Sequence, residues 1–218
     1  MQTNTPIDKI LNGGIERRVI TNIYGPAGCG KTNIALSTLL SAKKSIYIDT
    51  ESSFSPERFY QIGGTSKKME SIILIEPSTW QEQHAEVVNL ESKMKGVELI
   101  IIDSIVSLYR LELDRENYSV INRQLAMQYA LLAKIARDHD IPILVTNQVY
   151  STGEDTVEMS SRQVARYWSK CIVELKLERK PSHRTAILQK HRSLPEGKKI
   201  TFEIKQSGLQ ESKFDFMR

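Results

Sequence analysis

The chain has 218 residues, a length that suits one domain with a sizeable hydrophobic core, and we expect a single domain over residues 1–218. No apolar run reaches the roughly 18 residues that a membrane span requires, and the first ten residues lack the apolar stretch of a secretory signal, so we expect a cytoplasmic protein. With only Cys29 and Cys171 present, no disulfide framework is implied, and a reducing compartment fits.

The 30 basic and 26 acidic side chains give a formal charge of +4, but they are unevenly distributed. Residues 161–218 carry 14 basic and 6 acidic side chains, whereas residues 1–160 carry 16 and 20. A basic pole of this kind indicates an anionic partner such as nucleic acid. A solvated surface would have the same composition, so charge alone leaves both interpretations open.

Short, β-branched apolar runs recur before residue 150 and are typical of buried parallel strands. They cover residues 19–24, 45–49, 71–76, 98–103 and 141–149. Thr79 and Glu82 form a capping box that predicts a helix to about Met94, and apolar residues at helical spacing predict another helix after Ser119.

The pattern changes after Tyr167, where the runs CIVELKLER, RTAILQKHR and KITFEIKQ are separated by short connections. These runs predict antiparallel strands that extend the same sheet, so that a basic antiparallel portion begins at about residue 168. The chain is therefore predicted to be an α/β protein with a mainly parallel central sheet, helices on both faces and a C-terminal antiparallel extension.

The segment GPAGCGKT fits the phosphate-binding pattern GxxxxGKT and lies between a predicted strand and a predicted helix. Its residues are Gly25, Pro26, Ala27, Gly28, Cys29, Gly30, Lys31 and Thr32. Successive backbone N–H groups of such a loop wrap phosphates, and the following helix points its positive end at them. Lys31 is expected to reach the outer phosphates and Thr32 to hold magnesium, which predicts binding of a nucleoside triphosphate with Mg²⁺.

Three further polar residues follow predicted strands, and parallel sheets bind ligands at the carboxyl ends of their strands. Asp103 closes the run ELIIID, where a carboxylate can order the magnesium ion and its waters. Glu51 could polarise a water for attack on the γ-phosphate, and the Gln148 amide could hydrogen-bond that phosphate. Each also has an ordinary structural interpretation, so the hypothesis requires that Lys31, Glu51, Asp103 and Gln148 converge in the fold.

The chain resembles, in the order of its motifs, the ATPase core of the RecA-like recombinases, and among them their short archaeal paralogues. The motifs that carry the resemblance are GPAGCGKT, YIDTESSFSPERF, LIIIDSIVSLYR, LVTNQV and LPEGKKITFEIKQSGL. The resemblance covers nearly the whole chain and implies a RecA-like P-loop NTPase core that uses ATP and Mg²⁺. It implies that Glu51 is the catalytic carboxylate, Asp103 the magnesium-site residue and Gln148 the γ-phosphate sensor. It also implies that Arg58 packs against adenine, although an exposed charge in the first turn of a helix is the alternative.

Several features of the larger recombinases are not found in this sequence. Only 24 residues precede the phosphate loop, where the larger proteins carry a helical DNA-binding domain, and no Phe has Ala three residues later, as their polymerisation tether has. Residues 108–119, which match the first DNA loop, mix Arg110 and Arg115 with three acidic residues. Residues 150–166, which match the second, place Glu154, Asp155 and Glu158 before Arg162 and Arg166.

The resemblance and these departures together predict an ATP-binding, weakly ATP-hydrolysing accessory protein, or mediator, of homologous recombination and DNA repair without strand exchange of its own. We expect its DNA affinity to be electrostatic, with little sequence specificity. The residues expected to supply it are Lys176, Arg179, Lys180, Arg184, Lys190 and Arg192. The protein partner implied is the main recombinase or a repair nuclease.

Lys190 and Arg192 alternate in QKHR and are predicted to project to the same side of one strand. This element resembles the Lys-x-Arg finger of some RecA-superfamily rings, including the clock-protein family related to KaiC, and would imply ATP-dependent self-association. Two other functions stay open: a regulatory ATPase or kinase of the KaiC-like type, and a protein-interaction module latched by ATP.

Overall fold

The computed structural model describes residues 1–151 and 157–212, which build one nine-stranded sheet and a separate two-stranded hairpin. The first five strands of the sheet are β1 (Ile20–Tyr24), β2 (Ser45–Asp49), β3 (Ile72–Ile75), β4 (Leu99–Asp103) and β5 (Ile143–Asn147). They lie within the five predicted runs, which are confirmed as strands. The fifth is shorter than predicted because Val149–Ser151 (β6) leaves the sheet and pairs with Val157–Met159 (β7).

The remaining strands are β8 (Cys171–Leu177), β9 (His183–His191), β10 (Lys199–Lys205) and β11 (Gly208–Glu211). The order across the sheet is β11-β10-β9-β8-β1-β5-β4-β2-β3. β8 runs parallel to β1 and antiparallel to β9, so it joins the parallel strands to the predicted antiparallel extension. The short strand β11 was not expected, because its four residues carry no alternating apolar pattern.

The helices are α1 (Lys31–Leu39), α2 (Pro56–Gln61), α3 (Ser66–Met69), α4 (Trp80–Val88), α5 (Ser107–Glu112), α6 (Tyr118–Asp138) and α7 (Arg162–Trp168), with 3-10 turns at Pro6–Lys9 and Leu90–Lys93. The helix predicted to reach Met94 ends at Val88, because the chain turns at Asn89, a residue that competes with the helical backbone. The helix predicted after Ser119 is α6. In the ranges 1–151 and 157–212, no helix combines the length and apolar content of a membrane span.

The sheet buries both of its faces, as the predicted helices on both sides require. Along β4, Ile100 and Ile102 join the core under α4, α5, α6 and α7, whereas Leu99 and Ile101 join the core under α1 and α2. Successive side chains of a strand point to opposite faces, so a strand buried on both faces is apolar at every position. This is the physical origin of the continuous apolar runs in the sequence.

Candidate nucleotide-binding site

The phosphate loop joins β1 to α1 at the carboxyl edge of the sheet. Gly28 has a φ of 72°, in the left-handed region that favours glycine. Gly25 is required for a different reason, because a Cβ atom there would lie 2.4 Å from the carbonyl oxygen of Leu175 in β8. Gly28 is therefore required by its backbone conformation, and Gly25 is required by its close packing against β8.

Two cations hold the phosphate loop. Lys31 Nζ donates hydrogen bonds to the carbonyl oxygens of Gly25 and Pro26, both at 2.9 Å. Arg184 of β9 donates from Nε and Nη2 to the carbonyl oxygen of Gly28, at 3.0 and 2.9 Å. The position of Lys31 follows from the motif, but the contact of Arg184 joins residues 156 positions apart and was not expected from the sequence.

Asp103 ends β4 with only 1% of its surface exposed. Its Oδ2 accepts a hydrogen bond from the Tyr47 hydroxyl at 2.8 Å, and its Oδ1 accepts one from the Thr146 hydroxyl. Burial raises the pKa of Asp103, whereas the nearby hydroxyls of Thr146, Thr32 and Tyr47 act in the opposite direction. The structure thus brings Thr32 and Asp103 together, as a shared magnesium site requires.

The oxygen atoms of Thr32 and Asp103 suit Mg²⁺, which prefers hard oxygen ligands and retains several waters. Within the described ranges, no group of three or more His, Cys, Asp or Glu side chains could hold a metal ion by itself. A magnesium ion here would therefore depend on phosphate and water oxygens in addition to these two side chains. This dependence matches a metal that arrives with a nucleotide.

A second buried carboxylate, which the sequence interpretation missed, shapes the segment after β2. Asp49 is 2% exposed and accepts hydrogen bonds from the backbone N–H groups of Glu51 at 3.0 Å and Phe54 at 2.7 Å. One carboxylate therefore determines the path of the short segment that carries Glu51. The sequence could have indicated this residue, because Asp49 ends a predicted buried strand, as Asp103 does. In the structure the two residues are neighbours in the register of β2 and β4.

Glu51 and Gln148 are in direct contact. The Gln148 amide nitrogen donates to Glu51 Oε1 at 2.6 Å, and the Gln148 amide oxygen accepts from Nη1 of Arg110 at 2.5 Å. Glu51 also lies close enough to Asp103 for its charge to raise the pKa of that carboxyl group. Because β1, β5, β4 and β2 are parallel neighbours, the residues that follow them meet at one edge of the sheet.

Arg58 lies on α2 and ties this helix to two other elements. Its Nε donates to Asn33 Oδ1 at 2.6 Å, while Nη1 and Nη2 donate to the carbonyl oxygens of Gln206 and Lys205, at 2.7 and 2.9 Å. These bonds use the edges of the guanidinium group and hold its plane. Contact between this plane and adenine stays a prediction.

Four of the six basic residues expected to attract DNA have partners within the chain. Lys176 pairs with Glu174, Arg184 binds the phosphate loop, Lys190 donates to the carbonyl oxygen of Arg166, and Arg192 pairs with Glu16. The prediction that Lys190 and Arg192 share one strand is wrong, because β9 ends at His191 and the chain bends there. The two cations contact different parts of the protein.

A cavity of about 820 Å³ lies between α5, the start of α6, β6 and α7. Its aromatic and basic lining residues are Tyr109, Arg110, Tyr118, Tyr150, Arg162 and Arg166. The two segments that resemble DNA loops therefore line one cavity, and Arg110 in its lining contacts Gln148. Glu154 and Asp155, and the side chain of Glu158, lie outside the described residues.

Comparison with known proteins agrees with this fold. The family model Rad51 matches residues 2–212. The "DNA repair and recombination protein RadB" of Methanosphaera stadtmanae is 41% identical over 219 residues, covering 95% of this chain and 94% of that protein. The RadB of Methanococcus maripaludis is 43% identical over 212 residues, covering 94% and 97%. A crystal structure of the RadB recombinase has a TM-score of 0.85 at 36% identity, covering 97% of this chain and 99% of that one, and confirms the RecA-like fold. The chain therefore belongs to the Rad51 family, within its RadB group of RecA-like recombinase paralogues.

Proposed function

We propose that this protein is an ATP-binding, weakly ATP-hydrolysing accessory protein of homologous recombination and DNA repair. In this role it acts as a mediator, without strand-exchange activity of its own. The observation that carries the proposal is the meeting of two pairs, Thr32 with Asp103 and Gln148 with Glu51, at the edge of the sheet where the phosphate loop lies. The names of the relatives, DNA repair and recombination protein RadB, support the biological process.

Each residue of the site has a chemical task in this proposal. The loop N–H groups and Lys31 would hold the phosphates of ATP, and Thr32 and Asp103 would hold Mg²⁺, which neutralises charge on the phosphates when bound. Glu51 would polarise a water molecule, and Gln148 would contact the γ-phosphate. Arg58 would flank the adenine ring.

The exposure of Glu51 favours slow hydrolysis. Catalytic groups act most strongly in sites that exclude water and are organised before the reaction, because bulk water otherwise competes for the same hydrogen bonds. The Glu51 carboxylate lies at the surface, where bulk water reaches it. We therefore expect turnover well below that of an enclosed ATPase site.

DNA binding in this proposal is electrostatic and combines the arginine-lined cavity with the basic residues at the surface. Arg179 and Lys180 are exposed in the connection between β8 and β9. The logarithm of the DNA affinity falls linearly with the logarithm of the salt concentration. Replacing both residues by alanine should make this slope less steep by about 1 to 2, because each phosphate contact contributes about 0.7 to 0.9. Lys67→Ala, an exposed lysine on α3, is the matched control. A wild-type affinity that barely changes with salt would refute the electrostatic account.

The central experiment measures ATP turnover with and without single-stranded DNA, together with assembly size in the same samples. Lys31→Ala should lose most ATP affinity, whereas Glu51→Gln should retain ATP and lose turnover. Equal hydrolysis by Glu51→Gln and wild type would remove Glu51 from its role. Strong stimulation by DNA together with filament formation would overturn the mediator role in favour of strand exchange.

Two parts of the proposal concern the cellular setting. The protein partner in this proposal is the main recombinase or a repair nuclease. The measurement of assembly size also tests whether the protein associates with itself when ATP is bound. The location is cytoplasmic, which is supported by the two buried free thiols of Cys29 and Cys171, since reducing compartments keep cysteines unpaired.

A further inference from the structure

Three side chains from separate elements form one continuous hydrogen-bonded chain. Arg110 of α5 donates from Nη1 to the Gln148 amide oxygen at 2.5 Å, and the Gln148 amide nitrogen donates to Glu51 Oε1 at 2.6 Å. Arg110 and Gln148 are 38 positions apart, and Gln148 and Glu51 are 97 positions apart. No motif in the sequence joins Arg110 to the nucleotide site, and its position in a segment matching a DNA loop suggested a different role.

The chemistry of the two end groups determines the orientation of the amide between them. A guanidinium group can only donate hydrogen bonds, and an ionised carboxylate can only accept them. The Gln148 oxygen must therefore face Arg110, and its NH₂ group must face Glu51. With Arg110 removed, only the hydrogen bond to Glu51 would hold the amide, and the oxygen end of the Gln148 side chain would lose the contact that fixes its position.

We propose that Arg110 is a positioning residue for the Glu51 carboxylate and that it acts through Gln148. The inference rests on the proposed ATPase function. A cation at one end of the chain and an anion at the other polarise the amide, and hydrogen bonds to charged groups are stronger than those between neutral groups. Arg110 thus fixes the oxygen end of the Gln148 amide, so that its NH₂ group stays against the Glu51 carboxylate.

The surroundings of Arg110 allow its side chain to be changed without disturbing the fold. The preceding residue, Tyr109, is only 4% exposed, donates from its hydroxyl to Asn122 at 2.9 Å and packs edge-on against Trp80 with ring centroids 5.8 Å apart. These contacts anchor α5 to the core. The Arg110 side chain is exposed at the rim of the cavity, so its truncation removes the contact with Gln148 and leaves the anchor intact.

The kinetic test compares Arg110→Ala, Arg110→Lys and Gln148→Ala with wild type. Arg110→Ala should lower kcat by about 3- to 10-fold, the size expected for a partly exposed hydrogen bond to a charged group, and leave the KM for ATP within about twofold. Arg110→Lys retains a donor and should recover most of the loss. Arg123→Ala, an exposed arginine of α6, is the matched control and should behave as wild type. An unchanged or raised kcat in Arg110→Ala would overturn the inference.

A double variant separates positioning from a general structural effect. If Arg110 acts through Gln148, the loss caused by Arg110→Ala should disappear in the Gln148→Ala background. An equally large loss in that background would refute the mechanism. In addition, ¹⁵N NMR should show the side-chain NH₂ signals of Gln148, assigned by their absence in Gln148→Ala, moving towards free-amide values in Arg110→Ala and staying near wild type in Arg123→Ala.

The outcomes distinguish this inference from the proposed function on which it rests. If turnover of the wild type does not depend on Glu51, as judged by Glu51→Gln, the proposed function and the inference both fail. If turnover depends on Glu51 but Arg110→Ala matches Arg123→Ala in kcat, only the inference fails.

Discussion

Two glycines of the phosphate loop should respond very differently to the same substitution. In Gly25→Ala the added Cβ would lie 2.4 Å from the Leu175 carbonyl oxygen and 2.9 Å from Cys29 Sγ, so the backbone must move. Overpacking of a well-packed site costs about 1–3 kcal/mol, and contact with backbone rather than with a flexible side chain places Gly25→Ala near the upper value, at about 3 kcal/mol. At Gly28 a Cβ would meet no atom within 4 Å, which leaves only the cost of a left-handed alanine at φ 72°, about 1 kcal/mol.

Urea unfolding and thermal unfolding of the two variants measure this difference directly. At about 2–4 °C per kcal/mol for a chain of this size, we expect Tm to fall by roughly 6–12 °C in Gly25→Ala and by roughly 2–4 °C in Gly28→Ala. Titration with a fluorescent ATP analogue should show a larger loss of affinity in Gly25→Ala, because the Gly25 carbonyl oxygen also holds Lys31. Equal destabilisation by the two substitutions would refute the steric reasoning.

Three further predictions concern side chains around the loop. Burial raises the pKa of Asp103 above its usual 3.8, so the folded protein binds this proton more tightly than the unfolded chain does and loses stability as pH rises above that value. The stability of Asp103→Asn relative to wild type, measured by urea unfolding, should therefore increase between pH 4 and pH 7, and a constant difference would contradict this. Asp49→Asn replaces one acceptor of the segment 50–54 by a donor; we expect a loss of about 1–3 kcal/mol in unfolding free energy and a lower kcat, and wild-type values of both would exclude its positioning role. Arg184→Ala frees the loop carbonyl oxygen and should weaken ATP binding by about 3- to 10-fold in a direct titration, whereas Arg179→Ala, an exposed control, should not.

The strands could be predicted because burial on both faces leaves a continuous apolar run, as the alternation of core sides along β4 shows. The ends of elements were less predictable. The helix expected to reach Met94 stops at Val88, where the conformation of Asn89 turns the chain, and the run that became β5 extends into a hairpin of its own. Such boundaries depend on a balance of small local preferences that packing decides.

The site residues separate into two groups by the range of the interactions that define them. Asp103, Glu51 and Gln148 were predicted because parallel strands bring their carboxyl ends to one edge, so position along the strand is sufficient. Asp49 was missed, although it ends such a strand, because its function is to accept backbone N–H groups of the segment that follows. A carboxylate that organises backbone and one that meets a ligand look alike in a sequence.

The phosphate loop could be read from the sequence alone, because eight consecutive residues carry its conformation and its chemistry, and so could the five parallel strands, because hydrophobic periodicity is a local property. The contacts that hold that loop, and those of Glu51, depend instead on how distant elements pack together. Arg184 reaches the Gly28 carbonyl oxygen because β9 lies beside β8, which lies beside β1, and Arg110 reaches Gln148 because α5 packs on the core near the end of β5. These contacts join residues far apart in the chain, and their geometry depends on how whole elements pack, which no local pattern specifies.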